Sequence, residues 1–307
     1  MKNVPMHAVQ SPGQPVADEP TRSRKWGPLL LKAVLSVLAI SYLIWRTDWP
    51  AVGRVMSRAR VEWLLAAVLA YNSSQITSTF RLKTMLRGIG IQAPFRYLLP
   101  LYYTGMAYNL FLPGGIGGDG YKAVRLRNKF GVGYRLVLST LLLDRLLGLL
   151  AILVLGCLAA GFSTSVQTLL PVPPGIGPPW IGLIAAGFVV VVAYIGVRLV
   201  FRRFKTVFWR GVAVALGVQT LQLLGCTCLL MALRVSSHLV DYLLTFLASS
   251  IAAALPLTIG GIGMRELVFV QMSQWLPIRT PDALATSLLF YLVAAVSSLQ
   301  GFWVKQD

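Results

Sequence analysis

The sequence contains few of the residues that soluble enzymes and disulfide-stabilised proteins depend on. Its 307 residues include only ten Asp and Glu, two His and three Cys, and charged residues make up 12% of the chain. Soluble domains carry about 25% charged residues. The low charge excludes a cytosolic globular enzyme. Three cysteines, all within apolar segments, are typical of small buried side chains and exclude a disulfide-rich secreted domain.

Apolar residues are abundant instead. They make up 56% of the chain, and the mean hydropathy is +0.69. Apolar stretches long enough to cross a bilayer recur along the chain. The predicted fold class is therefore all-α, a polytopic bundle of transmembrane helices. Residues 1–26 are polar and are predicted to form a disordered cytoplasmic tail, and residues 27–307 are predicted to form a single transmembrane domain.

Eight apolar blocks divide this domain. Two of them are short, run into glycine clusters and are predicted to be re-entrant, since irregular backbone at membrane depth must be buried in protein or line a cavity. Residues 47–60 are predicted to form a short amphipathic helix at the membrane interface. The six predicted spans are 28–45, 62–80, 136–160, 179–197, 208–233 and 284–304, and the re-entrant blocks are 97–112 and 240–257.

The basic residues test this division. The formal net charge is +18. In a membrane protein such charge directs topology and contacts anionic lipid, so nucleic acid is not an expected partner. Most Lys and Arg lie in the tail and in the segments 81–96, 122–135 and 198–205, which share one side if the two short blocks are re-entrant. The positive-inside rule therefore predicts that both termini are cytoplasmic.

The two short blocks resemble each other. Tyr-Leu-Leu at 97–99 precedes Gly-Gly-Ile-Gly at 114–117, and the same two runs recur at 242–244 and 260–263. Three predicted spans separate the copies, which predicts an inverted repeat of the kind that marks a transporter site near the bilayer midplane. Glycine turns leave N–H groups free to bind an anion such as a lipid phosphate. The alternative is a pair of tight packing loops at the membrane surface.

Two charged residues lie inside the span 136–160. Ionisable side chains at this depth are costly and face the protein interior in pairs. We expect Asp144 to be buried and to pair with Arg125 or Lys122, and Arg145 to be buried and to pair with Asp119. The alternative to a substrate-binding role is a structural ion pair that fixes helix packing.

Polar side chains also follow one face of two spans. Asn72, Gln75 and Thr79 share a face of the second span, and Gln219 and Gln222 share a face of the fifth. Hydrogen bonding between helices is one interpretation, and a polar groove for a headgroup is the other. No cluster of His, Cys and carboxylates has metal-ligand spacing, so neither a metal nor a cofactor is expected.

Three motifs, in this order, are LPGGIGGDGYKAVR at 112–125, LDRLLG at 143–148 and GGIGMRE at 260–266. Their order and spacing resemble the lysylphosphatidylglycerol synthase transmembrane-region family over nearly the whole chain after the tail. The resemblance implies a bacterial-type inner (plasma) membrane protein with a flippase-like domain and lipid translocation as its activity. The synthases add a soluble aminoacyl-transferring domain after this region, so the resemblance does not extend to the synthase activity.

The leading hypothesis is a non-enzymatic protein that binds and translocates a lipid or lipid-linked intermediate with an anionic or zwitterionic headgroup. A membrane-embedded transferase for a lipid-phosphate sugar is the first alternative, and a non-catalytic subunit of a separate soluble enzyme is the second. Membrane phospholipid is the expected partner, and a homo-oligomer is left open. The predicted substrate-binding residues are Gly114, Gly115, Gly117, Gly118, Asp119, Arg125, Asp144, Arg145, Gly260, Gly261, Gly263, Arg265 and Glu266.

Overall fold

The fold was analysed in a computed structural model of the chain. The structure describes residue 34 and the ranges 37–38, 41–45, 47–111, 117–169, 177–254 and 263–303. The predicted tail 1–26, most of the first predicted span and the tips of both glycine turns lie outside the described residues.

The described residues form helices joined by short turns, together with a 3-10 turn at Arg202–Phe204. The helices are, in chain order, α1 (Trp49–Ser57), α2 (Val61–Gly88), α3 (Phe95–Phe111), α4 (Gly117–Phe130), α5 (Tyr134–Phe162), α6 (Thr164–Leu169), α7 (Pro178–Val200), α8 (Phe208–Ala232), α9 (Leu239–Ala254), α10 (Met264–Trp275) and α11 (Thr280–Trp303).

Within this part of the chain, the long apolar helices agree with the predicted fold class. Four stretches are long and apolar enough to cross a membrane: Tyr134–Phe162, Pro179–Val200, Phe208–Ala232 and Thr280–Gly301. Helix α2, with 28 residues, extends about 42 Å and is long enough as well, but it is more polar. The polytopic helical class is therefore confirmed, while the number of six crossings stays a prediction.

Helix α2 extends further than the sequence pattern predicts. The second span is predicted to end at residue 80, whereas the helix continues to Gly88 and gives way to a turn in which Gly90 has φ +85°. No Gly or Pro interrupts the chain before that point, so nothing stops the helix. Its last two turns carry Arg81 into the protein interior, where the residue is 6% exposed.

Helices α3 and α4 form a hairpin that enters and leaves at one end of the bundle. The Tyr97 hydroxyl, at the start of α3, donates to the carbonyl of Arg125 near the end of α4 at 3.3 Å. Deeper in the hairpin the two backbones touch, since a Cβ at Gly118 would lie 1.9 Å from the carbonyl oxygen of Gly105. Glycine is required at this contact because any side chain would drive the two helices apart.

Helices α9 and α10 form a second hairpin at the opposite end. The backbone N–H of Arg279, just after α10, donates to the Tyr242 hydroxyl near the start of α9 at 3.0 Å. The N–H of Arg60 donates to the carbonyl of Ala232 at 3.0 Å, which places the start of α2 beside the α8–α9 turn. Because α2 runs from this end to the α3–α4 end, the two hairpins enter from opposite ends. The inverted repeat itself stays a prediction.

Helix α7 lies at the edge of the bundle and packs on α5 through a glycine contact. A Cβ at Gly182 would lie 2.6 Å from the carbonyl oxygen of Cys157 and 3.1 Å from the Cα of Gly161. At Gly187, on the same helix, a Cβ would meet nothing within 4 Å. The two glycines therefore form a matched pair, one in the contact and one outside it.

We expect Gly182→Ala to lower the free energy of unfolding by about 1–3 kcal/mol because the added methyl group overpacks the α5–α7 contact. Gly187→Ala should leave stability unchanged or raise it by up to about 1 kcal/mol, since alanine favours a helix more than glycine does. Thermal denaturation of the purified protein in detergent measures both changes. Equal destabilisation by the two substitutions would contradict the close contact at Gly182.

Candidate functional site

A polar cavity of about 270 Å³ lies at mid-length of the bundle, where both hairpins reach the long helices. Tyr71, Gln222 and Phe290 contribute to it from the central turns of α2, α8 and α11. Asn109 reaches it from the inner end of α3, and Arg265 from the start of α10. The cavity is lined by Tyr71, Met106, Asn109, Gln222, Ala253, Arg265, Glu266, Phe290, Tyr291, Ala294 and Ser298.

Arg265 is the one cation among the described residues that line this cavity. Its guanidinium carbon lies 5.3 Å from the centre of the Phe246 ring and 4.7 Å from that of Phe290. Contact with aromatic faces stabilises a cation. In the described part of the chain, however, the buried Nη1 atom has no hydrogen-bond partner. A buried donor without a partner costs about 1–3 kcal/mol, so this nitrogen favours an anionic acceptor.

Glu266 accepts a hydrogen bond from the backbone of Gly263, the last residue of the second glycine cluster. Gly263 has φ +88°, a conformation that favours glycine, and its N–H donates to Glu266 Oε2 at 2.9 Å. The Ser287 hydroxyl of α11 donates to Oε1 at 2.9 Å. Both carboxylate oxygens therefore have partners, and the side chain ties the start of α10 to α11. The Gly263 N–H is thus engaged by Glu266, so the prediction that the glycine N–H groups of this turn are free to bind an anion is wrong for Gly263.

A network of charged side chains surrounds the start of α4, and of its members Lys122 is buried. Asp119 accepts a hydrogen bond from Arg145 Nε, as expected from the sequence, and lies 3.6 Å from Lys122 Nζ. The Lys122 ammonium in turn lies 3.9 Å from the centre of the Tyr102 ring. The side chain of Arg145 is 38% exposed, so its predicted burial is wrong.

Asp144 pairs with a different cation from the one expected. Arg81 donates to both of its carboxylate oxygens, from Nε at 2.8 Å and from Nη2 at 3.0 Å. The predicted pairing with Arg125 or Lys122 is wrong because α2 continues past its predicted end and presents Arg81 to α5. The predicted burial of Asp144 is confirmed, since the residue is 7% exposed. No Gly or Pro lies between residue 80 and Gly88, and this sequence signal indicates that the helix continues and includes Arg81.

The remaining predicted site residues fall into three groups: two glycines at the start of α4, one exposed arginine, and four glycines outside the described residues. Gly117 and Gly118 form the start of α4, where the Gly118 N–H donates to Asn109 Oδ1 at 2.8 Å. Arg125 is exposed, with its guanidinium 5.8 Å from the Tyr121 ring centre. Asp119 is not among the described residues that line the cavity with Arg265. The third group, Gly114, Gly115, Gly260 and Gly261, lies outside the described residues.

Some polar residues of the spans form hydrogen bonds between helices, and others line the cavity. Asn72 donates to Ser297 at 3.0 Å and accepts from the Tyr103 hydroxyl at 2.9 Å, so it joins helices by hydrogen bonds. Gln222 lines the cavity, as a headgroup groove would require. Asn109 was not anticipated, because a single Asn in an apolar block carries no periodic signal.

Long apolar helices and a buried pair of opposite charges between two of them define a polytopic helical membrane protein. The family model described as "Lysylphosphatidylglycerol synthase TM region" matches residues 29–300, so the chain belongs to this family and the resemblance of its motifs is confirmed. A UPF0104 membrane protein of Pyrococcus horikoshii is 25% identical over 139 residues. This match covers 45% of the chain and 42% of that relative, less than half of its length.

The Arg81–Asp144 pair generates a stability prediction. Arg81→Met and Asp144→Leu should each lower the free energy of unfolding by about 3–5 kcal/mol, because each leaves one buried charge uncompensated. The double variant should be less destabilised than the sum of the two, since it leaves no charge behind. Thermal denaturation in detergent measures all three variants.

The exposed Glu62, on the first turn of the same helix α2, provides the control for these three variants. Glu62→Ala should change stability by no more than about 0.5 kcal/mol. Strict additivity of the two core substitutions would contradict the pairing.

Proposed function

We propose that this protein binds and translocates a lipid or lipid-linked intermediate whose headgroup carries negative charge, and that it is not an enzyme. The observation that carries the proposal is the Arg265 guanidinium, which lines a cavity at mid-depth and has a buried Nη1 without a hydrogen-bond partner in the described part of the chain. The planar fork of arginine matches phosphate oxygens. A lipid phosphate would supply the missing acceptor.

The size of the cavity supports a headgroup as the occupant. Ligand pockets for small molecules occupy about 300–1,000 Å³, and this cavity of about 270 Å³ is at the lower limit. It can hold a phosphate with a small substituent, whereas two acyl chains would not fit. In this proposal the chains stay in the bilayer while the headgroup moves through the protein. The amides of Asn109 and Gln222 suit a polar substituent on the headgroup.

The bonding of the acidic residues supports translocation over a transferase reaction. A transferase would need a carboxylate free to act as a general base or to bind a divalent metal. Asp119 is bonded to Arg145, Asp144 to Arg81, and Glu266 to Gly263 and Ser287. Each of the three candidate acids therefore has a structural partner.

The charge distribution supports an orientation in the inner (plasma) membrane. The α3–α4 end of the bundle carries the exposed basic residues of the α7–α8 turn and of the end of α4, including Arg203 and Lys129. By the positive-inside rule this end faces the cytoplasm. With six crossings, both termini lie on that side.

We expect Arg265→Met to reduce translocation of fluorescent phosphatidylglycerol in proteoliposomes by at least about tenfold. The substitution keeps the volume of the side chain while removing a charge-assisted hydrogen bond, which contributes about 1.5–3 kcal/mol. The measurement is the rate at which labelled lipid becomes accessible to an impermeant quencher. Arg87→Met, at an exposed position of α2, is the matched control and should keep full activity.

Mass spectrometry of lipids that co-purify with the two variants separates binding from transport. Loss of bound anionic lipid from Arg265→Met, with retention by Arg87→Met, would agree with the proposal. Full transport activity in a well-expressed Arg265→Met protein would remove the cavity from the mechanism.

Single-cysteine labelling tests the orientation. With the three native cysteines replaced by serine, Arg203→Cys should react with an impermeant maleimide only after the inner membrane is permeabilised, because its turn is proposed to be cytoplasmic. Ser237→Cys, in the α8–α9 turn at the other end, should react in spheroplasts with intact membranes. The reverse pattern would overturn the proposed orientation.

A further inference from the structure

A second cavity, of about 600 Å³, lies at the end of the bundle where the α9–α10 hairpin enters. Three separate parts of the chain surround it: helix α1, the α8–α9 turn and the α10–α11 turn. Each contributes cationic side chains to the lining. They are Arg54, Arg58, Arg234 and Arg279, which we call the arginine pocket.

The arginine pocket has an excess of positive charge. Asp282 is the one carboxylate among its described lining residues, and its Oδ2 lies 3.6 Å from Arg279 Nε. Within the described residues, Arg54, Arg58 and Arg234 form no ion pair. All four arginines are exposed, so water and salt screen their mutual repulsion, and an anion in the cavity offsets what remains of it.

Arg234 occupies a backbone position that normally belongs to glycine. It follows the end of α8 with φ 61°, in a turn where its N–H donates to Met231 and the N–H of Val235 donates to Leu230. This left-handed position after a helix favours glycine, which lacks a Cβ. An arginine here places a cation in the pocket at the expense of backbone strain, and strained residues of this kind cluster at functional sites.

The chemistry of the lining points to phosphate. Arginine side chains bind phosphate oxygens through paired N–H groups, and the hydroxyls of Ser236 and Ser237 add further donors. We propose that the arginine pocket binds a phosphate ester with at least two negative charges. The cavity is larger than inorganic phosphate requires, so the ligand carries a substituent or a second phosphate.

This site is separate from the central cavity. The two share no described lining residue, and the arginine pocket lies at the end of the bundle rather than at mid-depth. The proposal therefore does not rest on the proposed translocation. The same phosphate chemistry has two sources, the headgroup of a lipid in the adjacent leaflet and a soluble phosphate ester.

The test uses the purified full-length protein and two probes. Pyrophosphate is titrated in detergent at constant ionic strength, with binding followed by the thermal midpoint. Cardiolipin, a lipid with two phosphates, is titrated in nanodiscs and followed by native mass spectrometry. Binding of pyrophosphate alone assigns the pocket to a soluble ester, and binding of cardiolipin alone assigns it to a lipid headgroup. Either result supports the proposal if replacing a pocket arginine weakens the binding of that probe.

The variants separate loss of charge from loss of folding. Arg58→Gln should weaken the bound probe by about tenfold or more, because it removes a charge-assisted contact. Arg234→Gly should weaken binding to the same degree while the ligand-free thermal midpoint stays equal or rises, because glycine relieves the strain of the turn. Arg60→Gln, an exposed arginine two residues from Arg58 and outside the pocket, should bind within about twofold of the parent protein.

Two results would overturn the proposal. One is that the parent protein binds neither probe. The other is that Arg60→Gln loses as much affinity as Arg58→Gln, which would show that the probes respond to general surface charge and not to the pocket.

Discussion

The cost of an unpaired polar group at membrane depth governs this structure. Arg81 and Asp144 satisfy each other through two hydrogen bonds between α2 and α5, and Asp119 is satisfied by Arg145 at the first hairpin. Glu266 is satisfied in the same way at the second hairpin. Each pair also fixes the position of one helix against another, because breaking it would leave a charge in a medium that solvates it poorly. Two buried nitrogens of the described helices depart from this rule, Arg265 Nη1 and Gln219 Nε2, and only the first of them carries a charge.

Glycine makes the two hairpins possible. Two helices that pack this closely must bring their backbones together, and glycine leaves room for that contact. At the first hairpin the contact between Gly105 and Gly118 lets α4 return directly against α3. At the second, the positive φ of Gly263 turns the chain so that its N–H meets Glu266. Both hairpins thereby reach the middle of the bundle, and the polar cavity lies where their inner ends approach the long helices.

The family and the structure together describe a helical membrane protein with a cavity of about 270 Å³ at mid-length of the bundle. Its membership in the lysylphosphatidylglycerol synthase TM region family rests on residues 29–300. The central cavity has one unsatisfied cation among aromatic rings, whereas the arginine pocket at the end of the bundle has several cations and one carboxylate. In the proposed function the first arrangement would bind a single headgroup phosphate and release it. In the further proposal the second would bind a more highly charged phosphate ester.

The sequence by itself determined the class of protein and the approximate positions of the long apolar helices that the structure describes, because apolar length is a local property. It also paired Arg145 with Asp119, which lie in consecutive helices. The predicted partner of Asp144 was wrong, since the second span was predicted to end at residue 80 and Arg81 was placed outside it, whereas α2 continues to Gly88. The cavity around Arg265 and the arginine pocket depend on residues from helices far apart in the chain. Only the tertiary structure decides such neighbours, because packing, and not sequence spacing, brings them together.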